Sequence, residues 1–345
     1  MADVVRYVDP DVVGGAGDGT SWANAYSSLN AWEAAEQTDL VTANDTHTVY
    51  CRASAGSADT IKVDIDGWDT NATYDLTVEV GTSDRHTGTG DTGYRIVAAG
   101  GFDALLVIAE DYVTLNGIAV RNTQTGQTSS HGFHIENVGT GVRNIINCLA
   151  YECGCHGYYV QGTNDMNYFI NCISLSAGQA AAGGSGFYTQ NNDYFYNCVA
   201  INSNSGTSYD GDGIFYTGFG TATLKNCYAG GNDGSDYAVS SGSLSLTTCC
   251  SEDGSQSSTV VALSTSSGAY FSNVTAGSED INLTSTSSSL YNSGTDLSAD
   301  GVYPFDYDYE GTTRSGWCVG PHEYIAAGGG LSIPIAMHHY KMMRH

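Results

Sequence analysis

Along residues 131–251, short apolar runs alternate with polar turns in a repeating phase. An Asn-Cys pair opens each unit, followed by an apolar and then a small residue: Asn147-Cys148-Leu149-Ala150, Asn171-Cys172-Ile173-Ser174, Asn197-Cys198-Val199-Ala200 and Asn226-Cys227-Tyr228-Ala229, with a looser Thr248-Cys249-Cys250-Ser251. Successive cysteines stand 24, 26, 29 and 22 residues apart. That spacing fits coils of one size with loops of variable length and excludes a helical heptad. A second column keeps the same phase: Gly132-Phe133-His134-Ile135, Gly157-Tyr158-Tyr159-Val160, Gly186-Phe187-Tyr188-Thr189, Gly213-Ile214-Phe215-Tyr216 and Asp236-Tyr237-Ala238-Val239. Runs of Val, Ile, Tyr, Phe and Thr bounded by Gly, Asn, Asp and Ser are strands and turns. Stacked so that each strand pairs with its counterpart one coil on, they predict an all-β fold. It is a single-stranded parallel β-helix, a solenoid of about ten rungs rising about 4.8 Å each.

The pattern divides the chain into four parts. Residues 1–46 form an N-terminal lead-in with a capping helix from about Ser27 to Gln37, and residues 47–300 the parallel β-helix. The stretch after Ser251 is Ser/Thr-rich and reads as small rungs. Residues 301–327 are aromatic and read as a C-terminal cap. Residues 328–345 are a Gly-linked apolar and basic tail, read as an assembly peptide acting through Ile333, Ile335, Met337, Tyr340, Lys341 and Arg344.

Column chemistry refines the coil. Asn tolerates the left-handed backbone of a sharp corner, and its amide can bond to the next rung's amide. Ten cysteines in 345 residues read as buried thiols, because in-register neighbours lie one strand spacing apart, beyond the roughly 3.8 Å between Cβ atoms that a disulfide prefers. A stack of reduced thiols and a start without a secretory signal point to synthesis in the cytoplasm.

Charge narrows the partners. Against 37 acidic residues stand 11 basic ones, a formal charge of −26, and Lys225 is the one basic residue between Arg143 and Arg314. Such a surface repels nucleic acid and anionic polysaccharide, and no apolar run is long enough to span a membrane. It favours divalent cations, so calcium candidates are Asp9, Asp11 and Asp18, with Asp210 and Asp212, and Asp306, Asp308 and Glu310 as further sets. His131, His134, Cys153, Cys155 and His156 are a candidate zinc set.

The opening Tyr7-Val8-Asp9-Pro10-Asp11, with Gly17-Asp18-Gly19-Thr20-Ser21-Trp22, and the closing Gly320-Pro321-His322-Glu323-Tyr324 resemble right-handed parallel β-helix proteins. Thr46-His47-Thr48-Val49-Tyr50-Cys51 and Ser83-Asp84-Arg85-His86 are similar to uncharacterised β-helix proteins of tailed phages and environmental sequences. That resemblance implies a non-enzymatic structural or binding component on a virion or extracellular particle surface, either a capsid decoration or tail-associated, docked through its tail and a homo-oligomer. The alternative is a carbohydrate-active enzyme of the β-helix class, a glycoside hydrolase or polysaccharide lyase, whose best carboxylate pair is Asp210 and Asp212. If Phe133, Tyr158 and Phe187 point inward, alternation turns His134, Tyr159, Tyr188 and Phe215 outward as a strip on which a glycan can stack.

Overall fold

A computed structural model describes residues 2–98, 103–124, 129–136, 139–162, 166–256, 261–262, 267–286 and 288–325. The chain winds as a parallel β-solenoid of the right-handed type with about seven full turns, fewer than the ten expected from the repeat. The difference arises toward the C-terminal end, where the Ser/Thr-rich stretch read as small rungs ends instead in an antiparallel pair, Phe271–Asn273 with Asp280–Leu283.

Three sheets run the length of the coil. The first has nine strands, from Ala2–Val8 to Ser243–Thr247; in Asp45–Cys51, Leu76–Val80 and Val113–Asn116 buried residues alternate with half-buried ones, as in a sheet with one face toward water. The second has eight strands, among them Leu149–Tyr151, Ile173–Leu175 and Val199–Ile201, buried at every position. The third has seven, from Val63–Ile65 to Tyr237–Val239.

Inside, equivalent residues stack. Cys148, Cys172, Cys198, Cys227 and Cys249 are fully buried and unbridged in the central core, while Cys250 turns to the outer side of the second sheet. Each thiol of the file from Cys172 to Cys249 donates to a carbonyl one rung back; Cys198 Sγ, for example, lies 3.2 Å from Phe169 O. Asn147, Asn171, Asn197 and Asn226 take φ of 53–55° at the corner before each cysteine. Their amides form the expected ladder in two stretches: Asn147 Nδ2 donates to Asn116 Oδ1 at 2.8 Å and Asn171 to Asn147 at 3.1 Å, and Asn226 to Asn197 at 3.3 Å, while between them Asn197 Nδ2 donates to Cys318 O and Gly320 O and Asn171 Oδ1 accepts from Arg314.

The N-terminal helix spans Leu29–Glu36, capped by Ser28, whose Oγ accepts from Ala31 N–H. Its buried face carries Leu29 and Trp32; Trp32 stacks on Trp68 with centroids 5.6 Å apart and donates to His47 Nε2. Ahead of it, Ala2–Val8 is already the first strand of the first sheet, paired with Asp45–Cys51, so residues 1–46 contribute to the coil itself.

Residues 267–325 run back along the flank of the coil as a strap. Tyr270, Phe271, Ile281, Leu283, Leu290, Tyr309 and Val319 cover the outer side of the second sheet, which explains why that sheet is apolar on both faces. Leu297, Phe305 and Trp317 cover Ile146, Tyr168, Ile170 and Tyr196 beside the Asn corner. The assembly residues Ile333, Ile335, Met337, Tyr340, Lys341 and Arg344 lie outside the described residues.

Candidate functional site

The third sheet presents the site. Its strands His131–Ile135, Tyr158–Val160, Phe187–Thr189 and Ile214–Tyr216 pair in strict register, Tyr159 beside His134, Tyr188 beside Tyr159, and Phe215 beside Tyr188. Period-two alternation buries Phe133, Tyr158, Phe187 and Ile214 and leaves those four rings half-exposed. Centroids are 5.0 Å apart from His134 to Tyr159, 5.3 Å to Tyr188 and 5.1 Å to Phe215. The same row continues as Val107 on one side and Ala238 on the other, so the ring column occupies four rungs.

A second row of rings backs the first. His131 stacks 4.4 Å from Tyr159, and His156 lies 4.6 Å from Tyr188 with Tyr209 packed edge-on to it at 4.4 Å. His131 and His156 are buried, and burial lowers the pKa of both, His156 to about 3, so they are neutral imidazoles at pH 7. At the column's head, His134 Nε2 lies 3.2 Å from Gln161 Oε1 and Nδ1 lies 3.8 Å from Glu136. Burial lowers the His134 pKa as well, with Glu136 opposing the shift. The strip residues are legible from alternation, and His131 opens the same strand as His134; His156 and Tyr209 join them from connecting segments of irregular length, which no period announces.

The other candidates that the sequence suggests are not brought together in this way. Asp212 is buried and accepts Ser235 N–H at 2.8 Å, so it ties neighbouring coils together, while Asp210 is exposed beside it. Burial raises the pKa of Asp212. Asp9 binds Arg52 Nε at 2.8 Å and two backbone N–H groups, Asp11 accepts from Ala55 and Ser57, and Asp18 accepts from Thr20; the three share no donor cluster. Asp308, Glu310 and His322 do cluster, but Asp308 already accepts three backbone N–H groups and His322 Nδ1 accepts Leu283 N–H. A ring nitrogen from each of His131 and His156 lies with Cys155 Sγ inside 4.8 Å, a donor set of the kind zinc takes. Ser185 N–H, however, donates to His156 Nδ1 at 2.9 Å, which puts the ring proton on Nε2 and leaves that nitrogen no lone pair for a metal. As arranged, this set does not fit a bound ion.

No family model matches the chain, and no curated protein matches its sequence. Among solved structures it is similar to a pectate lyase, Pel9A, at 16% identity with a TM-score of 0.43, covering 94% of this chain and 97% of that one. It is also similar to a rhamnogalacturonan lyase at 13% identity and a TM-score of 0.46, covering 72% of this chain and 67% of that one. At these identities the likeness is one of fold. The expectation of a non-enzymatic virion protein is corrected: both of these structures are named as lyases and neither as a phage protein.

Proposed function

We propose that the protein is a carbohydrate-active β-helix protein that lays an extended, neutral polysaccharide along its third sheet, parallel to the coil axis. The observation that carries this reading is the unbroken column of His134, Tyr159, Tyr188 and Phe215. Its 5.0–5.3 Å ring spacing is close to the length of one linked pyranose, so consecutive sugars meet consecutive rings. The rings are half-buried and tilted 42–54° to one another, so their exposed portions meet sugar C–H surfaces while the hydroxyls stay free for Gln161, Gln190 and Glu136 at the margin. The charge of −26 favours a neutral chain over a uronate-rich one. His134, neutral at pH 7 and set between Glu136 and Gln161, is the group on this row able to exchange a proton with a bound sugar.

The test is affinity electrophoresis against neutral glucans, xylans, mannans and galactans, with pectate and alginate as anionic controls, and with new reducing ends or unsaturated products measured in parallel. One neutral polymer is expected to retard the protein. Tyr159→Ala and Tyr188→Ala should each weaken it about tenfold, on the scale of roughly 1.5 kcal/mol for one aromatic contact face. Retardation by the anionic polymers alone, or retention unchanged in the double variant, overturns the proposal.

A further inference from the structure

Beside the ring column the third sheet carries a second, polar lane. Two residues past Tyr159, Tyr188, Phe215 and Ala238, and so on the same side of the sheet, stand Gln161, Gln190, Thr217 and Ser240, half-exposed or exposed. Gln161 Oε1 faces His134 Nε2 at 3.2 Å, Gln190 Oε1 accepts Gly162 N–H at 3.3 Å, and Thr217 Oγ1 accepts from Ser240 Oγ at 2.7 Å. With these oxygens engaged, the two amide NH2 groups and the Thr217 hydroxyl hydrogen remain to donate to a ligand. From Gln161 to Ser240 the lane holds no charge.

At the last ring the lane is bounded by Phe219, which is 91% exposed. Its turn is tightly held. Gly218 O accepts from Ser241 Oγ at 3.0 Å, Gly220 N–H donates to the buried Tyr216 hydroxyl at 3.1 Å, Gly220 O accepts Ser243 N–H at 3.1 Å, and Thr221 N–H donates to Asn192 Oδ1 at 2.8 Å. Both flanking positions need glycine for close approach: a Cβ on Gly218 would fall 2.4 Å from Gln190 O, and one on Gly220 2.0 Å from Asn192 Oδ1. None of these bonds uses the Phe219 ring, so the turn keeps its shape without it. A fixed turn therefore holds a large apolar face in water, where covering it is favourable.

Strand geometry sets the reach. At about 3.3 Å per residue Thr217 stands about 7 Å from Phe215, and Phe219 is at most about 14 Å away. Two sugars side by side, each about as long as the 5.1 Å ring spacing, fit within that span. An unbranched chain lying along the column leaves the Phe219 ring in water, and a charged branch would meet no opposite charge in the lane. On the reading that the column holds a neutral polysaccharide, we infer that this polymer is branched. One main-chain sugar stacks on Phe215, and a neutral sugar branching from it crosses Thr217, accepts its hydroxyl hydrogen and covers the Phe219 ring. Phe219 is then the residue that selects branched over unbranched polymer.

The experiment is affinity electrophoresis of the whole protein in paired soluble neutral polymers: galactomannan against glucomannan, xyloglucan against mixed-linkage glucan, and arabinoxylan before and after removal of its arabinose. Wild type should be retained about fivefold more strongly by the branched member of at least one pair. Phe219→Ala should reduce that preference to about twofold or less with the melting temperature unchanged, and Phe219→Trp should keep it. The Tyr159→Ala, Tyr188→Ala variant should lose retention on both members together, so failure of the column and failure of the branch site are read apart. Equal retention on both members of every pair, or a preference that survives Phe219→Ala, overturns the inference and leaves the column standing. No retention by any neutral polymer overturns both. A wild type that sediments as a dimer and a Phe219→Ala variant that sediments as a monomer also overturn it, because the ring then belongs to a contact between copies.

Discussion

Single side chains in this coil behave according to where the corner ladder puts them. Glu79 stands at the ladder's head: its Oε2 accepts Asn116 Nδ2 at 2.8 Å, and its Oε1 lies 3.4 Å from Arg85 Nη2. Burial outweighs both partners and raises its pKa to about 7. A carboxyl whose folded pKa exceeds its unfolded value of about 4.5 stabilises the fold fully below that value, and the contribution is lost as pH rises toward 7. Glu79→Gln keeps an oxygen for Asn116 and removes the titration. The stability difference between wild type and this variant, from urea unfolding at a series of pH values, is therefore expected to shift against wild type between about pH 4.5 and 7. A difference that stays flat or moves toward wild type would mean that the Arg85 ion pair, and not burial, governs this carboxyl.

Elements of the strap are fixed to the same ladder by one arginine. Arg314 is buried; its Nη2 donates to Asn171 Oδ1 at 3.0 Å, to Pro321 O at 2.9 Å and to Gly320 O at 3.2 Å, and Nη1 lies 3.5 Å from Glu323 Oε2. Removing one partner of such a buried network leaves charge and carbonyls unpaired, which costs about 3–5 kcal/mol. Arg314→Met is expected to lower unfolding stability by that order and to speed proteolysis within residues 290–325 ahead of the coil. A variant cleaved no faster there than elsewhere would show that the strap's apolar contacts alone hold it. Sequence reading reaches the coil but not this strap, for a physical reason. Asn147, Asn171 and Asn197 repeat because every rung meets the same corner, whereas the strap bonds each corner differently: Asn171 to Tyr307 O, Asn197 to Cys318 O and Asn226 to Thr295 O. The available signal lies in Leu149-Ala150-Tyr151 and Val199-Ala200-Ile201, apolar at every position, since a strand buried on both faces needs a cover on each. The aromatic column follows from alternation alone. A pocket under the strap, lined by Arg121, Tyr151 and Glu279, does not, because Arg121 and Tyr151 stand on neighbouring strands of the coil while Glu279 comes from the strap.

For the molecule as a whole, the architecture couples a repeat that needs only its neighbours to a cover that needs all of them. Each rung pairs with the rungs beside it, which is the condition for stability that accumulates along a solenoid. The strap instead joins positions as distant as Arg85 and Tyr309, 224 residues apart, and can dock only onto a coil already built. Removing residues 267–345 is therefore expected to leave the β-sheet circular dichroism of the coil in place while uncovering Leu149, Ile173, Val199 and Tyr228 in one continuous strip. Contiguous apolar surface of that kind drives association, so the truncated chain should bind a hydrophobic dye strongly and sediment as a mixture of oligomers at concentrations where the full chain does not. Tyr159 and Tyr188 keep their place on the third sheet in the same deletion, so the aromatic column should survive it. A truncated chain that stays monodisperse and dye-free would require some other segment to cover the second sheet, and a chain that loses its β-sheet signal altogether would make the strap part of the coil's own folding unit.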